Sequence, residues 1–168
     1  MKKLTTLLFA ILLLSTPVPA QETEEVVTES GAPDNLLKNS DMSRGTSGWT
    51  GDRTLAEDGD NWVLVVRAKK GSERIFSQEF HAMKAADLKI SFRYKTEDYK
   101  GRGLKISMVY GNSSWYTDMD LKADGEWHEV NWKFSEGKGK TKLTLQFNVK
   151  EGEGTVFFDD ITAVDRAK

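Results

Sequence analysis

From Asn61 to the end of the chain no stretch holds a helical period. Short runs with a two-residue alternation follow one another instead, cut apart by glycine-bearing turns. Leu88, Ile90, Phe92 and Tyr94 alternate with Lys89, Ser91 and Arg93, and Leu104, Ile106, Met108 and Tyr110 repeat the pattern. Asn61–Arg67 is a Val-rich run suited to a strand buried on both faces. Arg74–Phe80, Trp127–Phe134, Leu143–Val149 and Thr155–Val164 complete the series. Gly101-Arg102-Gly103, Ala123-Asp124-Gly125, Glu136–Gly139 and Glu151–Gly154 mark the hairpins and loops between them. The only helical turn expected is Ala82–Ala86. About eight or nine strands without crossover helices predict an all-β fold, two antiparallel sheets packed face to face.

The N-terminus follows other rules. Lys2 and Lys3 precede the apolar run Leu4–Leu14, and Ser15–Ala20 supplies a breaker and small residues, so residues 1–20 read as a secretory signal cleaved before Gln21. The run is shorter than the roughly 20 residues needed to span a bilayer, and no later segment is apolar enough. Residues 21–33 are acidic and aperiodic, a solvated tether. Residues 34–168 then form one domain. The chain is expected to be exported, periplasmic or secreted. With no cysteine it has no disulfide framework and depends on its core. A formal net charge of −2 with both signs interspersed gives no basic field for nucleic acid or a membrane surface.

The ends of the domain carry a signature. Asn35-Leu36-Leu37, Asn39-Ser40-Asp41-Met42 and Gly48-Trp49 at one end, and Val156-Phe157-Phe158-Asp159-Asp160-Ile161 at the other, resemble the opening and final strand of carbohydrate-binding modules of the CenC type. That resemblance implies a galactose-binding-like jelly-roll sandwich whose concave sheet face binds an oligo- or polysaccharide. It also implies a structural calcium ion, for which Asp41, Asp159 and Asp160 are the available carboxylates. Ser43 stands where these modules commonly carry an acidic residue, which removes a ligand and charge compensation. The other use for Asp159-Asp160 is a strand end where one carboxylate caps backbone amides.

Catalytic patterns are missing from the sequence. His81 and His128, the two histidines, lack partners at metal-ligand spacing. His128-Glu129 begins like a zinc-protease motif, but Trp132 occupies the second histidine's place. Gly139-Lys140-Thr141 imitates the end of a phosphate loop, but Phe134 stands at the first glycine position. No Gly-x-Ser-x-Gly elbow occurs. A jelly-roll hydrolase or lyase, or a protein-interaction module on the same fold, is the rival to a non-catalytic sugar binder.

A sugar site needs flat rings for C–H faces and directional polar groups for hydroxyls. Trp49 belongs to the core, Trp62 to core or rim, and parity makes Trp132 the inward ring of its strand, leaving Trp127 near the edge. Trp115 and Tyr116 are adjacent, so in an extended strand they point to opposite faces and one is exposed. Arg93, Ser107, Gln146 and Asn148 have outward parity and form the expected polar face, with Lys89 and Lys105 adding positive charge that favours an acidic glycan. The sugar-binding set is therefore Trp115, Tyr116, Trp127, Arg93, Ser107, Gln146 and Asn148.

Overall fold

A computed structural model describes residues 35–82, 87–135 and 139–166. The signal, the tether and, apart from Ala82, the helical turn lie outside these residues. Ten strands run in chain order: β1 Thr50–Gly51, β2 Thr54–Asp58, β3 Asn61–Arg67, β4 Arg74–His81, β5 Leu88–Gly101, β6 Leu104–Tyr110, β7 Ser113–Met119, β8 His128–Phe134, β9 Lys142–Val149 and β10 Gly152–Asp165. They form two five-stranded antiparallel sheets. Sheet I has the order β1-β4-β9-β6-β7, and sheet II the order β2-β3-β10-β5-β8. This is the expected jelly-roll sandwich.

The inward rows of the alternating strands meet between the sheets. Phe76 and Phe147 from sheet I stack at 4.7 Å, and Phe92 of sheet II meets Phe147 edge-on at 5.1 Å. Trp49 closes this aromatic cluster against Phe76, as expected for a core ring. Burying one such ring stabilises the fold by about 1.5–3 kcal/mol, the main holding force in a chain without disulfides.

Three strands lie outside the sequence expectation. β1 and β2 are short edge strands with little alternation. β7 begins within the stretch Gly111–Ser114, which reads as a loop; the turn is only Gly111-Asn112, with Tyr110 and Ser113 paired across it. Gly111 has φ 58° while Asn112 does not share the positive φ, the arrangement of a tight II′ hairpin. β10 also begins earlier than expected, at Gly152. Gly154 there has φ 91°, and a Cβ on it would overlap the Asp98 carbonyl, so the close approach of β10 to β5 at this register shift requires glycine.

The two signature ends meet in space. Asn35 Oδ1 accepts hydrogen bonds from the Leu37 and Ala163 amides, and Leu36 N–H donates to the Ala163 carbonyl. Asn39 holds the opening loop: its Oδ1 accepts from Arg44 N at 2.8 Å and its Nδ2 donates to the Gly45 and Ser47 carbonyls. Gln78 is polar yet shares the buried inward row with Phe76 and Phe80, and it forms a double hydrogen bond with the Lys38 backbone (2.6 and 2.9 Å). That pairing replaces the water it loses.

Candidate functional site

Strand register decides which side chains share a surface. On the outer face of sheet I, Thr50 lies opposite Ser77, Ser77 opposite Gln146, Gln146 opposite Ser107, and Ser107 opposite Tyr116. One row of four small or amide side chains thus crosses all five strands and ends on a phenol ring. Beside it runs Ile75–Asn148–Lys105–Asp118. Tyr116 is 57% exposed because β7 is an edge strand with no neighbour beyond it. Gln146 and Ser107 make no side-chain hydrogen bond with any described residue.

Where the row meets the turns between β3 and β4 and between β9 and β10, the face deepens into a depression of about 540 Å³. Tyr116, Lys105, Asp118, Lys150 and Glu73 line it. Lys105 Nζ lies 5.8 Å from the Tyr116 ring centroid, within reach of its π face. Lys150 pairs with Asp118 at 2.8 Å, and Asn148 Nδ2 donates to Glu73 at 2.6 Å. Asn148 is buried, and its Oδ1 has no hydrogen-bond partner.

Sheet II presents the opposite outer face, and its polar groups are engaged with one another. Arg93 donates to Asp159 (2.6 Å) and pairs through Nε with Asp160 (2.7 Å). Trp127 Nε1 donates to Asp58 Oδ2 at 3.1 Å while Lys95 Nζ holds Asp58 Oδ1 at 2.8 Å. The guanidinium of Arg93 and the ammonium of Lys95 each lie 5.1 Å from the Trp127 ring, and Lys95 also caps Phe157 at 5.2 Å. The Lys95 hydrogen bond, joined by that of Trp127, holds the Asp58 carboxyl below its usual range against the opposing effect of desolvation. At the loop before β8, His128 likewise holds the Asp124 carboxyl down by hydrogen bonding at 2.8 Å.

The expected sugar-binding set is therefore divided. Tyr116, Ser107, Gln146 and Asn148 come together on sheet I. Arg93 and Trp127 do not join them: β5 and β8 belong to sheet II, and outward parity alone cannot say which sheet a strand enters. Lys89, on β5, separates from Lys105 for the same reason. Trp115 pairs across the strands with Met108, so it takes core-side parity at the β7 edge, on the other side from Tyr116. It is nonetheless 47% exposed, so both rings of the pair are accessible rather than one. Trp62, 45% exposed, is a rim residue, and Trp132 packs half-buried against the core. Thr50 and Ser77 complete the row but were not expected; for Thr50, β1 carries no alternation from which to assign a face.

The carboxylates available for calcium are each engaged within the chain. Asp159 precedes and Asp160 opens a bulge in β10, where the register against β5 shifts between Asp159 and Thr162. Asp160 has φ 51° there, and its amide donates to Asp159 Oδ1 at 2.8 Å. The neutralising cation is the Arg93 guanidinium. Asp41 accepts from the Ser43 amide and hydroxyl. Among the described residues no group of three or more His, Asp or Glu side chains is placed to hold a metal. Asp159 caps the Asp160 backbone amide, within a strand rather than at its end.

No protein-family profile and no curated protein matches the sequence. Solved structures do match. The enzymatically active domain of bacteriophage CBA120 tailspike protein 4 superposes with a TM-score of 0.64 at 15% identity, over 78% of this chain but only 21% of that one. The Family 16 Carbohydrate Binding Module-2 gives 0.57 at 16% identity, over 78% of this chain and 100% of the module. The CBM22-1 xylan-binding domain of Paenibacillus barcinonensis Xyn10C gives 0.58 at 18% identity, over 80% and 96%. The chain thus spans about a fifth of the tailspike domain and nearly the whole of the modules. Its fold is the jelly-roll β-sandwich of carbohydrate-binding modules.

Proposed function

We propose that this protein is a non-catalytic carbohydrate-binding module, exported by cleavage of residues 1–20, that holds a polysaccharide on the outer face of sheet I. One observation carries the reading. The row Thr50–Ser77–Gln146–Ser107–Tyr116 sets an exposed ring beside amide and hydroxyl groups, and neither Gln146 nor Ser107 is engaged by its own protein. An apolar C–H face of a sugar stacks on such a ring while its hydroxyls meet Gln146 and Ser107. The likeness to modules that include a xylan-binding domain supports the same reading. On this face Asp118 is paired with Lys150, Glu79 with Lys142, and Glu73 accepts from Asn148.

Affinity electrophoresis through gels containing a panel of neutral and acidic polysaccharides tests this. Retardation by at least one glycan, lost in Tyr116→Ala and reduced in Gln146→Ala, is the expected result. Unretarded migration in every gel defeats the reading. Intact mass of the exported protein checks the signal, expected to begin at Gln21.

A further inference from the structure

The binding row runs about 19 Å from β7 to β1, taking about 4.8 Å per strand. Beyond β1 the chain passes from sheet I to sheet II through Gly51-Asp52-Arg53, anchored by the Asp52 N–H to the Ile75 carbonyl at 2.6 Å. At this rim lies a depression of about 590 Å³ lined by Arg53, Arg67, Arg74, Asp52, Thr54 and Val65. Three guanidinium groups there face one carboxylate. Arg74 shares Asp52 at 3.3 Å, while that carboxylate also accepts from the Ile75 amide. Arg53 is held by one hydrogen bond to the Gly51 carbonyl at 2.8 Å, and its Nε is buried without a partner. Arg67, exposed on the outer face of sheet II, makes no hydrogen bond or ion pair with any described residue. Its cross-strand neighbour is Thr155, and the next residue in that row, Glu97, is a further strand away.

Several other cations of the described residues are matched one to one or better: Lys150 with Asp118, Arg102 with Glu151, Lys142 with Glu79 and Arg93 with an aspartate pair. At the rim three guanidinium groups line one depression with a single carboxylate between them. Guanidinium forks bind carboxylate and tetrahedral oxyanions in two-point fashion, which a lone ammonium does not. We infer that Arg53, Arg67 and Arg74 form an oxyanion subsite taking the charged substituent of an acidic polysaccharide, a uronate carboxylate or a sulfate or phosphate ester. The neutral part of the same chain lies along the Tyr116–Thr50 row and leaves the sheet over β1. The inference rests on the proposed glycan-binding reading and names the class of glycan.

Two measurements separate the inference from its foundation. Titrating the full protein with sodium sulfate, then phosphate, against chloride at matched ionic strength, is followed by backbone and arginine side-chain NMR shifts. Saturable shifts confined to Gly51–Leu55, Arg67 and Arg74 are expected, weakened about tenfold in Arg67→Gln. Shifts spread over Lys105 and Lys150, or linear without saturation, overturn the subsite. Affinity is then compared within two matched pairs: a neutral polysaccharide and its uronate-bearing form, and a neutral polysaccharide and its sulfated form. One charged form is expected to bind about tenfold tighter than its neutral partner, and which pair shows it identifies the anion. The advantage disappears in Arg67→Gln and is only partly restored by Arg67→Lys, while neutral-glycan affinity stays unchanged. Equal affinity within both pairs overturns the acidic-glycan assignment. Saturable sulfate shifts at the rim with no glycan bound at all sink the sheet I reading and leave the anion subsite standing alone.

Discussion

The two outer faces of this sandwich are built from similar residues and differ in where their bonding capacity goes. Sheet II carries Trp127, Arg93, Lys95 and Asp58, a composition suggestive of a sugar site, yet each group is already committed. The indole donates to Asp58, Asp58 accepts from Lys95, and Arg93 bridges two aspartates. Sheet I carries less conspicuous residues, two serines, a threonine and a glutamine, but the amide of Gln146 and the hydroxyl of Ser107 have no partner within the described chain. Unspent hydrogen-bonding capacity beside an open ring marks a binding face better than residue type does. A ligand competing for Asp58 or Arg93 must first break protein contacts, and one meeting Gln146 displaces only water.

The largest effect separating the faces should come from Arg93→Ala. It leaves the buried Asp159 carboxylate without its cation, and removing one partner of such a pair costs about 3 kcal/mol of stability. Denaturant unfolding should show the loss, while electrophoretic retardation by the glycan stays the same. If retardation fell while stability held, Arg93 would be a binding residue and the contrast between the faces would be wrong. Tyr116→Ala should do the reverse. An exposed ring contributes little to folding, but its removal should weaken glycan binding by about 2 kcal/mol, roughly thirtyfold. Gln146→Ala comes next, at about 1 kcal/mol of binding for a neutral hydrogen bond to a hydroxyl. Calorimetric titration ranks these two, and equal binding by all three variants would leave sheet I without a role.

How much of this was legible beforehand follows from what alternation encodes. Period-two patterning in Leu88–Tyr94, Leu104–Tyr110 and Leu143–Val149 gives strand existence and the inward row, and those rows are the core found here. It is silent about sheet membership, so Arg93 and Gln146 looked equivalent although they lie on opposite faces. Sheet assignment is set by long-range pairing, such as β4 inserting between β1 and β9, which no local window contains. The end motifs were legible as a signature, but their physical use was not. Asn35 and Asn39 tie backbone together, and the Asp-Asp pair stabilises a bulge in which one residue has positive φ. β1, β2 and the start of β7 escaped because edge strands carry weak patterning. The arginine rim escaped because Arg53, Arg67 and Arg74 sit on a connection, the end of β3 and the start of β4, and only the pairing of strands into two sheets brings them to one depression.

The smallest expected effect probes the engaged face through pH. Asp58 accepts from Trp127 and Lys95 through one oxygen each as a carboxylate, and its folded-state pKa lies below the ordinary value of 3.8 because the Lys95 hydrogen bond, then that of Trp127, favours the charged form. A carboxyl depressed on folding stabilises the fold fully above its unfolded pKa, and that contribution disappears as pH falls through the folded value. Trp127 fluorescence should therefore be flat from neutrality down to about pH 4 and change only below it. Subtracting the signal of Trp127→Phe isolates this ring from the other indoles. Asp58→Asn should show the altered emission already at neutral pH, because the amide cannot serve both donors as an anion does. A transition centred above pH 4, or one that persists unchanged in Asp58→Asn, would mean that another group holds the ring. Glycan affinity should not respond to Asp58→Asn, since the sugar-binding row lies on the opposite sheet. A change in affinity there would show that the two faces are coupled through the core, and the division between an engaged face and an available one would no longer hold.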